Sequence, residues 1–210
     1  MATKITWFTW IIACICVVHA PDPIPLSDAD KHAIVDAHNN YRKLEGATSM
    51  QKIKWSIDLE EIARKVAAQC GLYPGDGSDD GYPYGLAGFN YIGELVFKSS
   101  GKPDLQNVVD TWMSEKGSYD IVTATCTGQC DHYLQVVWST TAEIGCALTS
   151  CPEAGIDAYF VCNYGPGGNQ AIPVGGQMFV PPPYTPGNPG SECSVYPGEV
   201  ADADKLCVLA

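Results

Sequence analysis

The sequence predicts an α/β protein in which an antiparallel sheet is covered by helices on both faces, an α-β-α sandwich stapled by disulfides. Three observations predict it. Apolar residues recur at helical spacing in three segments before residue 118 and at a spacing of two in segments after residue 131. Helices that precede consecutive antiparallel strands are placed over the faces of their sheet. The third observation is an even set of cysteines in a chain that opens with a leader.

The leader comes first. Residues 1–20 carry Lys4, an apolar run from Ile5 to Val18, and small residues at the end of Val18-His19-Ala20, the pattern of a secretory signal peptide. Its removal takes away Cys14 and Cys16 of the 10 cysteines, and the remaining even set reads as disulfides of an extracellular protein. Ser27-Asp28-Ala29-Asp30 reads as a capping box, followed by Ile34, Ala37, His38, Tyr41 and Leu44 at helical spacing to Glu45. Ser56 to Cys70 repeats the pattern with Leu59, Ile62, Ala63 and Val66. After Pro103, Leu105, Val108, Val109, Trp112 and Met113 form a third stripe that Gly117 ends. Between the second and third helices, Gly71 to Gly101 reads as a long loop rich in Gly, Asp and aromatics. The period then changes. His132–Ser139, Glu143–Thr149 and Ala158–Tyr164 read as strands. From Pro166 the chain becomes rich in Pro and Gly, giving a domain over 21–182 and a C-terminal extension over 183–210 that holds one disulfide.

Composition narrows the function classes. With 12 basic against 24 acidic side chains and a formal charge of −12, the chain would be repelled by nucleic-acid phosphates. Beyond the leader no segment is long and apolar enough for a membrane span, so an integral membrane protein is not expected. No Asn-x-Ser/Thr acceptor occurs.

Several motifs resemble those of one family. Cys130-Asp131-His132-Tyr133-Leu134-Gln135-Val136-Val137-Trp138 with Ile144-Gly145-Cys146-Ala147 resembles the first signature of the CAP superfamily, the cysteine-rich secretory, antigen 5 and pathogenesis-related 1 proteins. Tyr159 to Asn169 resembles the second signature, His38-Asn39-Asn40-Tyr41-Arg42 the HNxxR of the first helix, and Gly93-Glu94 the GEN element. The likeness spans roughly residues 27–182 and is greatest to the secreted venom-allergen-like proteins of parasitic worms. It implies an α-β-α sandwich, and it implies the pairing Cys70–Cys146, Cys126–Cys130, Cys151–Cys162 and Cys193–Cys207.

The resemblance also implies a central cavity with two His and two Glu. Here Glu94, Glu115 and His132 match that pattern, while Phe89 stands where the other His is expected, so the tetrad is incomplete. Zinc wants three or more N, O or S ligands. This set offers at most a weak divalent site, and no cofactor is expected. The bland alternative is a polar cluster held by hydrogen bonds. Hydrolysis lacks an activated nucleophile, since there is no GxSxG and Ser139 has no evident partner.

Tyr82, Tyr84 and Phe89 have the spacing of the caveolin-type motif that sterol-binding members of the family carry in this loop. Their aromatic faces could close over a flat apolar ligand, or simply pin the loop to the sheet. The resemblance also implies a second site, a channel for a fatty acid, eicosanoid or related lipid between the first and third helices, where Ile34, Ala37, Tyr41, Val108, Val109 and Met113 could face one another. The same stripes serve equally as core. The expected function is thus a secreted, non-enzymatic lipid-binding protein. A host-interacting effector or allergen acting on host proteins is the alternative, and a metal-dependent hydrolase the third.

Overall fold

The computed structural model describes residues 21–71, 86–195 and 197–210. The leader and the positions of Tyr82 and Tyr84 lie outside the described residues. Ser27 begins helix α1 (Asp28–Arg42) with the expected capping box, its hydroxyl accepting from the Asp30 N–H while Asp30 accepts from the Ser27 N–H. Helices α2 (Ile57–Ala67) and α3 (Leu105–Met113) follow, the latter capped by the Asp104 carboxylate. The fourth, α4 (Asp131–Val136), is short.

The strands are β1 (Asp22–Ile24), β2 (Lys54–Trp55), β3 (Gly93–Ser99), β4 (Tyr119–Asp120), β5 (Thr125–Cys126), β6 (Glu143–Cys151), β7 (Ile156–Gly165), β8 (Ile172–Val174), β9 (Gln177–Phe179), β10 (Glu199–Ala201) and β11 (Cys207–Leu209). The central sheet runs β1-β6-β7-β3 in antiparallel pairs, and β2 adds a short parallel pairing to β6. Three two-stranded ribbons, β4–β5, β8–β9 and β10–β11, lie outside it.

Alternation along β6 and β7 sorts side chains between two layers. Ile144, Cys146, Leu148, Phe160, Cys162 and Tyr164 pack into the main core with α1, α3 and α4. Ala147, Cys151, Tyr159 and Val161 pack with α2 on the other face. This is the predicted α-β-α sandwich.

Two expected elements differ. His132–Ser139 is not a strand, because its first part forms α4; Tyr133 to Val137 are all buried, and a short continuous apolar run carries no period that separates helix from strand. The stretch Gly71–Gly101, expected to be a loop, contains the edge strand β3, paired with β7 from Gly93↔Tyr164 to Ser99↔Ala158.

The disulfides are corrected in two of four places. Cys126–Cys130 and Cys193–Cys207 form as expected, but the other bonds are Cys70–Cys151 and Cys146–Cys162, in place of Cys70–Cys146 and Cys151–Cys162. The reason is strand parity. Cys146 and Cys162 are direct cross-strand partners on the α1/α3 face, so neither can reach Cys70 at the end of α2. Cys151 lies on the α2 face and can.

The C-terminal extension is built into the body. Tyr184, Leu206 and Cys207 are buried, and backbone bonds join Thr48 to Thr185, Ser139 to Pro183, and Cys207 to Met50.

Candidate functional site

The polar centre is assembled where α3 gives way to α4. The turn after α3, Ser114–Ser118, carries Glu115. Helix α4 starts at Cys130, a residue with no side-chain oxygen to cap it. Glu115 fills that role from a distance: its Oε2 accepts from the backbone N–H groups of His132 at 3.0 Å and Tyr133 at 3.3 Å. These are two of the donors that the first turn of any helix leaves unpaired. The other oxygen, Oε1, lies 2.6 Å from His132 Nδ1. The His132 ring is in turn nearly parallel to Trp112, at 8° and 6.1 Å between centroids, and Trp112 stacks on Phe160. Glu115 and His132 are therefore brought together as expected, with both carboxylate oxygens of Glu115 committed to holding α4.

Glu94 sits on β3 directly across from Asn163, whose Nδ2 donates to Glu94 Oε2 at 3.1 Å. Asn163 is fully buried and its Oδ1 has no hydrogen-bond partner among the described residues. Phe89 is half-buried, and its ring lies against Gly165, where an added Cβ would come within 2.3 Å of it. Gly167 meets Tyr91 and Gly168 meets Trp138 in the same way, so the GPGG turn is a cradle for three aromatic rings.

Metal fits this centre poorly. Among the described residues no three His, Cys, Asp or Glu side chains converge as a metal group would require. Phe89 supplies no donor, Glu115 is engaged by α4, and Glu94 lies with Asn163 and Gly145 on the sheet face that α2 covers, away from His132. Nor is a nucleophile aligned: among the described residues no hydroxyl is hydrogen-bonded to His132, and the eight cysteines from Cys70 to Cys207 are all in disulfides.

The HNxxR residues have structural work to do. His38 is buried, with Nδ1 2.7 Å from the Ile34 carbonyl and Nε2 2.9 Å from the Tyr164 hydroxyl, and burial lowers its pKa to about 4. Asn39 exchanges two hydrogen bonds with the backbone of Ile53. Arg42 donates to the carbonyls of Gln51, Val136, Trp138, Ser139 and Thr141 at 2.7–3.3 Å. The candidate channel residues Ile34, Ala37, Val108, Val109 and Met113 are all buried in the main core. Tyr41, half-buried beside them, bridges α1 to α3 by donating to Asp110 Oδ1 at 2.7 Å.

Sequence reasoning missed two cavities. One, of about 690 Å³, lies between α1, the Gln51–Ile57 segment and β11, with Val35, Ile53, Trp55 and Leu209 in its wall. The other, of about 700 Å³, lies between the Pro21–Leu26 segment, α2 and β6. Lys31 borders both, held by Glu60 at 2.7 Å and lying 5.4 Å from the centre of the Trp55 ring. Burial alone would raise the Glu60 carboxyl, but hydrogen bonds from Lys31, Arg64 and Trp55 outweigh it and hold the group below its ordinary value. Neither cavity has a sequence signature, because the C-terminal return and the N-terminal strand build their walls.

With this geometry in view, the model of the cysteine-rich secretory protein family matches residues 35–164. The chain belongs to the CAP family. Among CAP relatives it is 34% identical over 193 residues to human GLIPR1-like protein 1, covering 88% of this chain and 76% of that one. It is 35% identical to pathogenesis-related protein 1 of Arabidopsis thaliana, covering 80% and 96%. The solved structure of Schistosoma mansoni venom allergen-like protein 4 superposes with a TM-score of 0.58 at 27% identity, covering 77% of this chain and 96% of that one. Disulfides and relatives together place this CAP protein in the extracellular class, and among the described residues no helix is long and apolar enough to cross a membrane.

Proposed function

We propose that the chain is a secreted, non-enzymatic lipid-binding protein, cleaved after its leader, that takes a sterol beneath the loop carrying Tyr82, Tyr84 and Phe89. The observation that carries this reading is the uncharged aromatic run Tyr82 to Phe89 together with the posture of Phe89. Its ring rests on Gly165 at the end of the sheet yet keeps part of its surface exposed, as a wall that still has a ligand to cover would do. The non-enzymatic part is supported by the polar centre, where Glu115 caps α4 and, among the described residues, no hydroxyl is hydrogen-bonded to His132.

A fatty acid, eicosanoid or related lipid is proposed between α1 and α3. The small Ala37 leaves the least bulk there, and the Tyr41–Asp110 hydrogen bond is the link such a chain would part.

The sterol reading is tested with the disulfide-formed protein secreted from a eukaryotic host. It should bind radiolabelled cholesterol saturably, with competition by excess unlabelled sterol. Replacing Tyr82, Tyr84 and Phe89 together by Ala should weaken binding at least tenfold while the far-ultraviolet spectrum is retained. Absence of saturable binding by the unaltered protein would end the sterol claim.

A further inference from the structure

The β8–β9 ribbon leaves the body as a two-residue hairpin. Gly175 and Gly176 form its turn with φ of 60° and 85°, the two positive values that a type I′ turn needs and that glycine supplies without strain. Every residue from Ile172 to Phe179 is exposed, including Ile172 at 43%, Val174 at 55%, Met178 at 68% and Phe179 at 41%. The surrounding sequence is equally unusual for so acidic a chain. From Ala158 through Ser191 there is no Asp, Glu, Lys, Arg or His, in a protein whose formal charge is −12.

What could cover such a ribbon follows from its register, Ile172↔Phe179, Pro173↔Met178 and Val174↔Gln177. Ile172, Val174 and Phe179 share one face with Gln177, while Pro173 and Met178 occupy the other. Both faces are apolar, so a flat protein partner would cover one and leave the other in water. The edge is also poorly suited to an added strand. In a two-residue hairpin the pair flanking the turn exchanges the ladder hydrogen bonds, so the backbone groups of the Pro173↔Met178 pair point outward. Proline has no N–H to offer there, and Pro181-Pro182-Pro183 follows soon after β9. At a lipid surface both apolar faces can meet lipid at once, while the water and polar groups of the headgroup interface pair the outward backbone groups of the edges.

We infer that the β8–β9 ribbon is a membrane-contact element, dipping Ile172, Val174, Met178 and Phe179 into the interface of a zwitterionic lipid surface. Charge selects that surface. The ribbon's own segment carries nothing that would hold anionic headgroups, and the net acidity of the chain opposes them. Attachment is weak and reversible, since the apolar area is small and acts without a basic partner. The inference is independent of the sterol site, which lies in a different segment.

The test is flotation of the full disulfide-formed chain with sterol-free phosphatidylcholine vesicles at millimolar lipid, beside a variant carrying Met178→Asp and Phe179→Asp. The expected result is partitioning of the unaltered chain that does not change between about 0.05 and 0.5 M salt, where screening removes charge effects. The variant should partition at least tenfold less with an unchanged melting temperature, both side chains being exposed. Failure to float overturns the inference, as does binding that requires anionic lipid and vanishes with salt. So does a dimer in sedimentation that the double substitution breaks, which would make a second copy the occupant. Because the vesicles hold no sterol, a chain that floats but binds no cholesterol overturns only the proposed sterol site.

Discussion

Arg42 keeps a full charge inside the protein by giving its guanidinium to five backbone carbonyls, without a carboxylate partner among the described residues. Those carbonyls belong to the Gln51 segment and to the chain between Val136 and Thr141, so one side chain ties α1 to the irregular backbone after α4. His38, one helical turn earlier, makes the complementary choice and stays neutral. Burial, its largest influence, lowers it to about 4 from the ordinary 6.5. Between those values the unfolded chain takes up a proton that the native chain refuses, so stability falls as pH drops. The contribution is complete above pH 6.5, declines through the window down to about pH 4, and is flat below it. At roughly 1.4 kcal/mol per pH unit this amounts to about 3 kcal/mol. Urea unfolding between pH 7 and pH 4 should show a shallower pH slope for His38→Gln than for the unaltered protein. Equal slopes would show that another group carries the dependence.

Helix α2 approaches the sheet closely enough that one glycine decides its position. A Cβ on Gly145 of β6 would lie 2.0 Å from the Glu60 backbone nitrogen and 2.4 Å from the Leu59 carbonyl carbon. Helix backbone cannot turn aside as a flexible side chain can, so Gly145→Ala must push α2 off the sheet, with overpacking costs of about 1–3 kcal/mol or more. A lowered urea midpoint of that size is expected, and unchanged stability would contradict the packing. The Ile144-Gly145-Cys146-Ala147 motif was legible in the sequence; the reason for its glycine was not, because the reason is a helix some 85 residues earlier. The same limit explains the other differences. Capping chemistry is local, so Ser27 marks its helix. The end of α4 is capped from Glu115 across sequence, and β3 shows only as Leu95-Val96-Phe97 inside a long Gly-rich stretch. Of the candidate site, the pairing of Glu115 with His132 could be expected from the family pattern, whereas their use as a helix cap needed the fold.

At the scale of the molecule, the disulfides divide into one that restrains the chain globally and others that lock what already lies close. Strand alternation held the information that separates them: Cys146 and Cys162 have even numbers shared with Leu148, Phe160 and Tyr164 on the main-core face, and Cys151 has the odd parity of Ala147 on the α2 face. Cys146–Cys162 joins direct cross-strand partners within the β6–β7 hairpin. Cys70–Cys151 instead closes a separation of 81 residues, enclosing the aromatic loop, β3, α3 and α4, while Cys126–Cys130 closes only 4. Chain entropy assigns about 4.5 kcal/mol to the first and about 2 kcal/mol to the second. Replacing Cys70 and Cys151 together by Ala should therefore lower the urea unfolding free energy by at least twice as much as replacing Cys126 and Cys130. It should also loosen the attachment of α2, which hydrogen exchange would register as faster exchange in Ile57–Ala67 before the sheet beneath it responds. If the two double variants lose equal stability, the long bridge acts on a denatured chain that is already compact, and the sandwich is then held by its two apolar layers rather than by its staples.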